Sequence, residues 1–154
     1  MSGSILKHIL ATFFISMVPV IELRGGVPYG VAQGLPLWLA YVTAVAGNMV
    51  PVPFIILFLR RVFDWLRRFE KTKKIVESLE RRGHLKGEKV RKYQGLGLFI
   101  LVAVPLPGTG AWTGALVASI FDMRLKRALP IILLGVMAAG ILMLTISHVG
   151  FNVL

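Results

Sequence analysis

The sequence predicts an all-α integral membrane protein arranged as an inverted-topology repeat. Each half is a re-entrant helical hairpin plus one transmembrane helix, and a cytoplasmic amphipathic helix lies between the halves. Three observations lead there. The chain of 154 residues is 56% hydrophobic and only 16% charged, with mean hydropathy +0.76, where a soluble domain would be about 45–50% apolar and about 25% charged. Two uncharged runs, 37–59 and 128–151, hold twenty-three and twenty-four residues, roughly 35 Å each as helix and enough to span with tilt. Two further apolar stretches are split by Pro/Gly breaks into arms of about 10–20 Å, too short to cross a ~30 Å hydrocarbon core.

In chain order, residues 9–21 form the first short arm. It ends at the string Pro19-Val20-Ile21-Glu22-Leu23-Arg24-Gly25-Gly26-Val27-Pro28. A second short piece, 29–35, is stopped by Pro36. The first full span, 37–59, has Asn48 as its most polar member and Pro51 and Pro53 as expected kink points. In 60–83, Val62, Phe63, Leu66, Phe69, Val76 and Leu79 recur at helical spacing among Arg and Lys, the pattern of a helix lying in the membrane interface, with Gly83 as its stop. A polar connector, 84–94, leads to the arm 95–104, the break 105–110 and the arm 111–121. A charged loop, 122–127, precedes the second full span, which contains His148. The whole is one membrane domain, 1–154: a first repeat over 1–59, the basic helix and connector over 60–94, and a second repeat over 95–154. The apolar N-terminus is expected to be retained, because no small-x-small cleavage site follows it.

Charge sets the topology. Residues 60–92 hold thirteen Lys/Arg against five acids, a net +8 out of the chain's +11, which assigns that segment to the cytoplasmic side. A single crossing over 95–121 would leave Arg124, Lys126 and Arg127 outside; a hairpin returns them to the cytoplasmic side. The two halves then share one grammar: Pro19 matches Pro105, Gly26 matches Gly110, Gly30 matches Gly114 and Gly47 matches Gly135, at an offset of 84–88. Non-helical backbone at membrane depth is tolerated where protein or a water-filled cavity satisfies it. In transporters built on inverted repeats the site lies where such breaks meet.

The candidate substrate or ion path therefore comprises Glu22, Arg24, Gly25, Gly26, Pro28, Asn48, Pro105, Pro107, Gly108, Thr109, Gly110, Trp112 and Thr113. Glu22 and Arg24 are the only charges within the half-spans, and intramembrane charges mark ion and substrate pathways. Glu22 is the one candidate proton acceptor. Arg24 offers planar donors to an anionic head group or pairs with Glu22. Gly25-Gly26 and Gly108-Thr109-Gly110 each precede a half-helix whose first amides favour an anion, although small residues also let helices pack closely. Trp112 and Thr113 line the site or pack beside it, and Asn48 is expected to hydrogen-bond a hairpin carbonyl. There is no nucleophile–base pair, metal-ligand cluster or P-loop. The expectation is a protein that is not an enzyme, with no cofactor and no metal site. Without cysteine, disulfides and thiolate chemistry are excluded.

The strings Pro19 to Gly30 and Pro105 to Gly114 resemble the family of small multidrug export proteins, over nearly the whole chain. More distantly the chain is similar to the DedA, or SNARE-associated (VTT-domain), superfamily. That resemblance implies two opposed re-entrant hairpins, a functional glutamate at Glu22, a glycine-rich turn at Gly25-Gly26 and movement of lipids such as undecaprenyl phosphate. The second hairpin departs from it, since Val102 to Gly114 carries no arginine. Three functions follow. The first is a secondary transporter or lipid translocase for a substrate with an anionic head group, with or without proton coupling. The second is a proton-coupled exporter of lipophilic cationic drugs, and the third a non-transporting scaffold. The expected setting is the inner membrane of a prokaryote, with 60–94 cytoplasmic and anionic lipid against 60–82. A homodimer or other homo-oligomer is expected, and no nucleic-acid partner.

Overall fold

Proline and glycine decide where helices stop here, and apolar content decides where they can be. The computed structural model describes residues 2–66, 68–69, 74–75, 77–78, 88–106 and 108–153. Their helices, in order, are α1 Ser2–Met17, α2 Glu22–Ala32, α3 Leu37–Met49, α4 Pro51–Leu66, α5 Glu88–Ala103, α6 Ala111–Ile120 and α7 Leu125–Val153. Two runs are long and apolar enough to cross a membrane, Leu37–Leu66 (α3 with α4) and Leu125–Gly150 within α7. Only 33% and 28% of their apolar windows are buried, whereas a core helix of a soluble protein would be mostly covered. Their outer faces expose Trp38, Phe54, Phe58, Ile141 and Ile146, a surface suited to lipid rather than water.

The arms between these runs are short. At about 1.5 Å per residue α2 and α6 are each roughly half a hydrocarbon core long. Each folds back on the helix before it. Across the first pair, a Cβ on Gly26 would land on the Ser16 hydroxyl, so the helices touch backbone to side chain. Across the second, Gly114 packs against Val102 and Leu98. The α3–α4 run is antiparallel to α7: Tyr41 reaches Met137 and Gly140 near one end, and Arg60 reaches Met123 at the other. A single apolar cluster, including Leu23, Val27, Ala44, Ile56, Val102, Ala115, Ile132 and Val136, joins α2 to α7 across both halves.

The backbone repeats with a constant offset. Among the described residues, φ is positive at Val20 (74°), Glu22 (48°), Gly34 (77°), Gly108 (81°), Gly110 (127°) and Asp122 (48°). These form three pairs 88 residues apart: Val20 with Gly108, Glu22 with Gly110, and Gly34 with Asp122. The turns that end α2 and α6 match bond for bond. Gly34 N–H bonds Val31 O and Leu35 N–H bonds Gly30 O, while Asp122 N–H bonds Ser119 O and Met123 N–H bonds Ala118 O. Both are left-handed helix stops with the paired bonds of the Schellman motif.

Several expected boundaries move. The first break is only residues 18–21, and α2 starts at Glu22 rather than at 29, so Gly25, Gly26 and Pro28 are helical. Gly25 N–H is bonded to Ile21 O and is not an open anion donor. Glycine here serves close helix contact, the packing role small residues play inside membranes. Pro28 is accommodated within α2, leaving the Arg24 carbonyl without its usual i+4 donor. The positive-φ residues recur at 88, an offset at which Gly26 stands opposite Gly114. The expected kink in the first span is the interruption at Val50, after which Pro51 opens α4. Helix α5 begins at Glu88, inside the expected connector, and α7 at Leu125, inside the expected loop. The proposed interfacial helix continues α4 to Leu66, with Trp65, Phe69 and Ile75 exposed; Val76, Leu79 and Gly83 lie outside the described residues.

Candidate functional site

The two breaks meet. Glu22 opens α2 with a left-handed backbone (φ 48°) and its side chain is 3% exposed. Its carboxylate sits on the first turn of α6, in the other half: Oε1 accepts from Trp112 N–H at 3.0 Å and Oε2 from Ala111 N–H at 3.2 Å. A helix start leaves such amides without intrahelical partners, and they carry the positive end of the dipole. Glu22 is therefore an N-cap delivered from 89 residues upstream. Gly110 makes room for it. Its φ of 127° suits glycine, and any Cβ there would fall inside the Glu22 carboxylate.

Arg24, one turn into α2 and half-buried, holds the loop that precedes α6. Its Nη1 donates to Leu106 O, and its Nη2 to Val104 O at 3.3 Å and to Thr109 Oγ1 at 2.6 Å. Thr109 organises the same loop. Its hydroxyl lies 2.7 Å from Val104 O and 2.8 Å from Leu106 O, either of which can take its one proton, and it accepts from Leu106 N–H at 3.2 Å. Trp112 adds a bond in the reverse direction, its indole N–H donating to Met17 O at 3.2 Å. Thr113 donates to Gly108 O at 2.8 Å, bracing the loop against the start of α6. Glu22 and Arg24 thus spend their hydrogen bonds on the opposite half rather than on each other.

Of the expected site residues, Glu22, Arg24, Gly108, Thr109, Gly110, Trp112 and Thr113 are brought together, with Pro105 in the same loop. Pro107 lies outside the described residues. Gly25, Gly26 and Pro28 serve α2 itself. Asn48 is fully buried in α3, but its amide has no hydrogen-bond partner among the described residues, so the expected bond to a hairpin carbonyl is not made. Sequence reasoning missed the acceptors Met17 O, Val104 O and Leu106 O, which are backbone atoms and have no residue signature. It also missed the Ala111 and Trp112 amides as partners of Glu22, although a glycine before an apolar half-helix marks a helix start with free donors. No group of His, Cys, Asp and Glu among the described residues could hold a metal ion.

At the far end of the first span, Arg60 Nη2 donates to Met123 O and lies 4.0 Å from Asp122. The α6–α7 turn and the start of the basic segment therefore share one end of the helix bundle.

No curated protein and no solved structure matches the chain. A family model does match, over residues 22–142, from Glu22 at the start of α2 through the second break and into α7. The chain belongs to the family described as "Putative small multi-drug export protein".

Proposed function

We propose that the protein is a secondary membrane exporter in which two opposed re-entrant hairpins meet tip to tip, with the Glu22 carboxylate as the coupling group. The observation that carries this is a buried carboxylate whose two oxygens are held by amides of the opposing half. A proton or a lipophilic cation that neutralises Glu22 competes with those amides. Each charge-assisted bond is worth about 1.5–3 kcal/mol, so neutralisation releases the start of α6 from Glu22. Removal of the ligand reseats the carboxylate on α6. Arg24 keeps its charge and stays bound to the 104–109 loop, so the start of α6 moves about a fixed tether.

Two observations support the hairpin arrangement. Arg60 bonds the α6–α7 turn, as it would if 88–120 entered and left on the basic side. The constant offset of 88 relates the turn at Gly34 to the turn at Asp122, and the antiparallel α3–α4 and α7 runs put these turns at opposite ends, which is what inversion requires. The inner membrane of a prokaryote, a cytoplasmic basic segment in contact with anionic lipid, and a homodimer or other homo-oligomer belong to the same reading.

A second reading is a DedA-like translocase for lipids with a phosphate head group. Its support is that the α6 amides already hold an anion and could hold another. In this structure, however, both elements a phosphate would use, those amides and Arg24, are engaged. The two readings separate in proteoliposomes carrying a pH gradient. Wild type should expel a quaternary ammonium dye with proton counterflow, and Glu22→Gln should reduce this to the rate of empty vesicles. Full activity in Glu22→Gln removes the coupling role. Flipping of a polyprenyl phosphate without dye efflux selects the lipid reading.

A further inference from the structure

Asn48 is 0% exposed, and neither end of its amide has a hydrogen-bond partner among the described residues. Because both ends are unpartnered, the choice of which is oxygen and which nitrogen does not affect the argument. A buried donor or acceptor left unmet loses the hydration it had in water with nothing in return. The position is also particular. Tyr41 and Val45 lie against Gly140 of α7, and Asn48 continues that stripe at the i, i+4, i+7 spacing of one helix face. It therefore faces α7, part-way between the Tyr41 contact with Met137 and the Arg60 contact with Met123. Ala44 and Val52, one turn to either side, are both fully buried in the apolar cluster. The equivalent position 88 residues on is Val136, also fully buried, so at this matched position only one of the two runs carries a polar group.

We infer that Asn48 binds a water molecule in the crossing of α3 with α7. The chemistry selects it. An amide that offers an acceptor at one end and two donors at the other needs a neutral group that can both give and take a hydrogen bond. A bare cation is opposed by the NH₂ end and a bare anion by the carbonyl end. Water meets both demands, and a bound water is the usual occupant of a buried polar site. This inference is independent of what the protein transports.

The chain has two asparagines, Asn48 and Asn152, so [¹⁵N]Asn labelling yields two side-chain amide pairs, and an Asn152→Gln variant assigns them. In lipid nanodiscs with no substrate added, the Asn48 amide protons should show direct magnetisation transfer from water. Asn48→Leu should leave Tm unchanged or lower it. Absence of water transfer to the Asn48 pair overturns the inference. A rise in Tm of several degrees in Asn48→Leu also overturns it, because that is the response to deleting an amide with no partner at all. The labelling arm uses an Asn48-intact protein and does not depend on Asn48→Leu folding.

Discussion

The first tip, residues 18–24, and the second, 104–112, have closely related backbones and opposite chemistry. Left-handed residues stand at the same two places in each, but they are Val20 and Glu22 in one and Gly108 and Gly110 in the other. Glycine takes such a conformation freely, while a β-branched or charged residue is held there at a cost of order 1–3 kcal/mol. The difference teaches which tip is built to present a group and which to receive it. Glu22 accepts strain to bring a carboxylate to the opposite half; Gly110 gives up a side chain so that the carboxylate fits.

That division can be broken most severely at the receiving side. Gly110→Ala meets both a left-handed φ and the Glu22 carboxylate, so a loss of at least about 3 kcal/mol is expected, seen as a large fall in Tm or failure to accumulate folded protein. Wild-type stability in Gly110→Ala would mean the tips do not meet as described. Next in size is Glu22→Gln, which keeps the shape but removes the charge and one acceptor. A loss of about 1–2 kcal/mol is expected in thermal unfolding, together with the transport defect above. Arg24→Lys should cost about 1 kcal/mol, because an ammonium cannot serve the three oxygens the guanidinium fork reaches. Its check is protease sensitivity of the 104–109 loop, which should rise.

Two replacements should stabilise, and so sharpen the comparison. Val20 is 85% exposed at φ 74°, and Val20→Gly should gain about 1 kcal/mol by copying Gly108. Asp122→Gly copies Gly34 and should gain about 0.5 kcal/mol net. The lost contact with Arg60 is long and half in solvent, and is worth little. A fall in Tm in either would show that the left-handed residues are not strained.

The spans and the existence of both breaks were legible because length, charge and proline are read directly from residues. The extent of the first break was not. Gly25-Gly26 carries the composition of a turn, yet inside a membrane the same composition serves contact with Ser16. The offset of the positive-φ residues was not legible for a related reason. Glycine-to-glycine matching suggested 84 for part of the chain, while the backbone equates Glu22 with Gly110, two residues no sequence match would align. Glu22 and Arg24 were identified as the charges to watch, but their partners are main-chain atoms of the other half.

The remote cap on α6 has a consequence for biogenesis. The amides that open this half-helix wait for an oxygen made 89 residues earlier. During synthesis the α1–α2 pair should already be in place when α5 and α6 pack against it. A ribosome-bound chain lacking its first thirty residues would leave those two α6 donors without the Glu22 carboxylate, and quality-control proteases should clear it. The early helix pair thus acts as an assembly template for the late one.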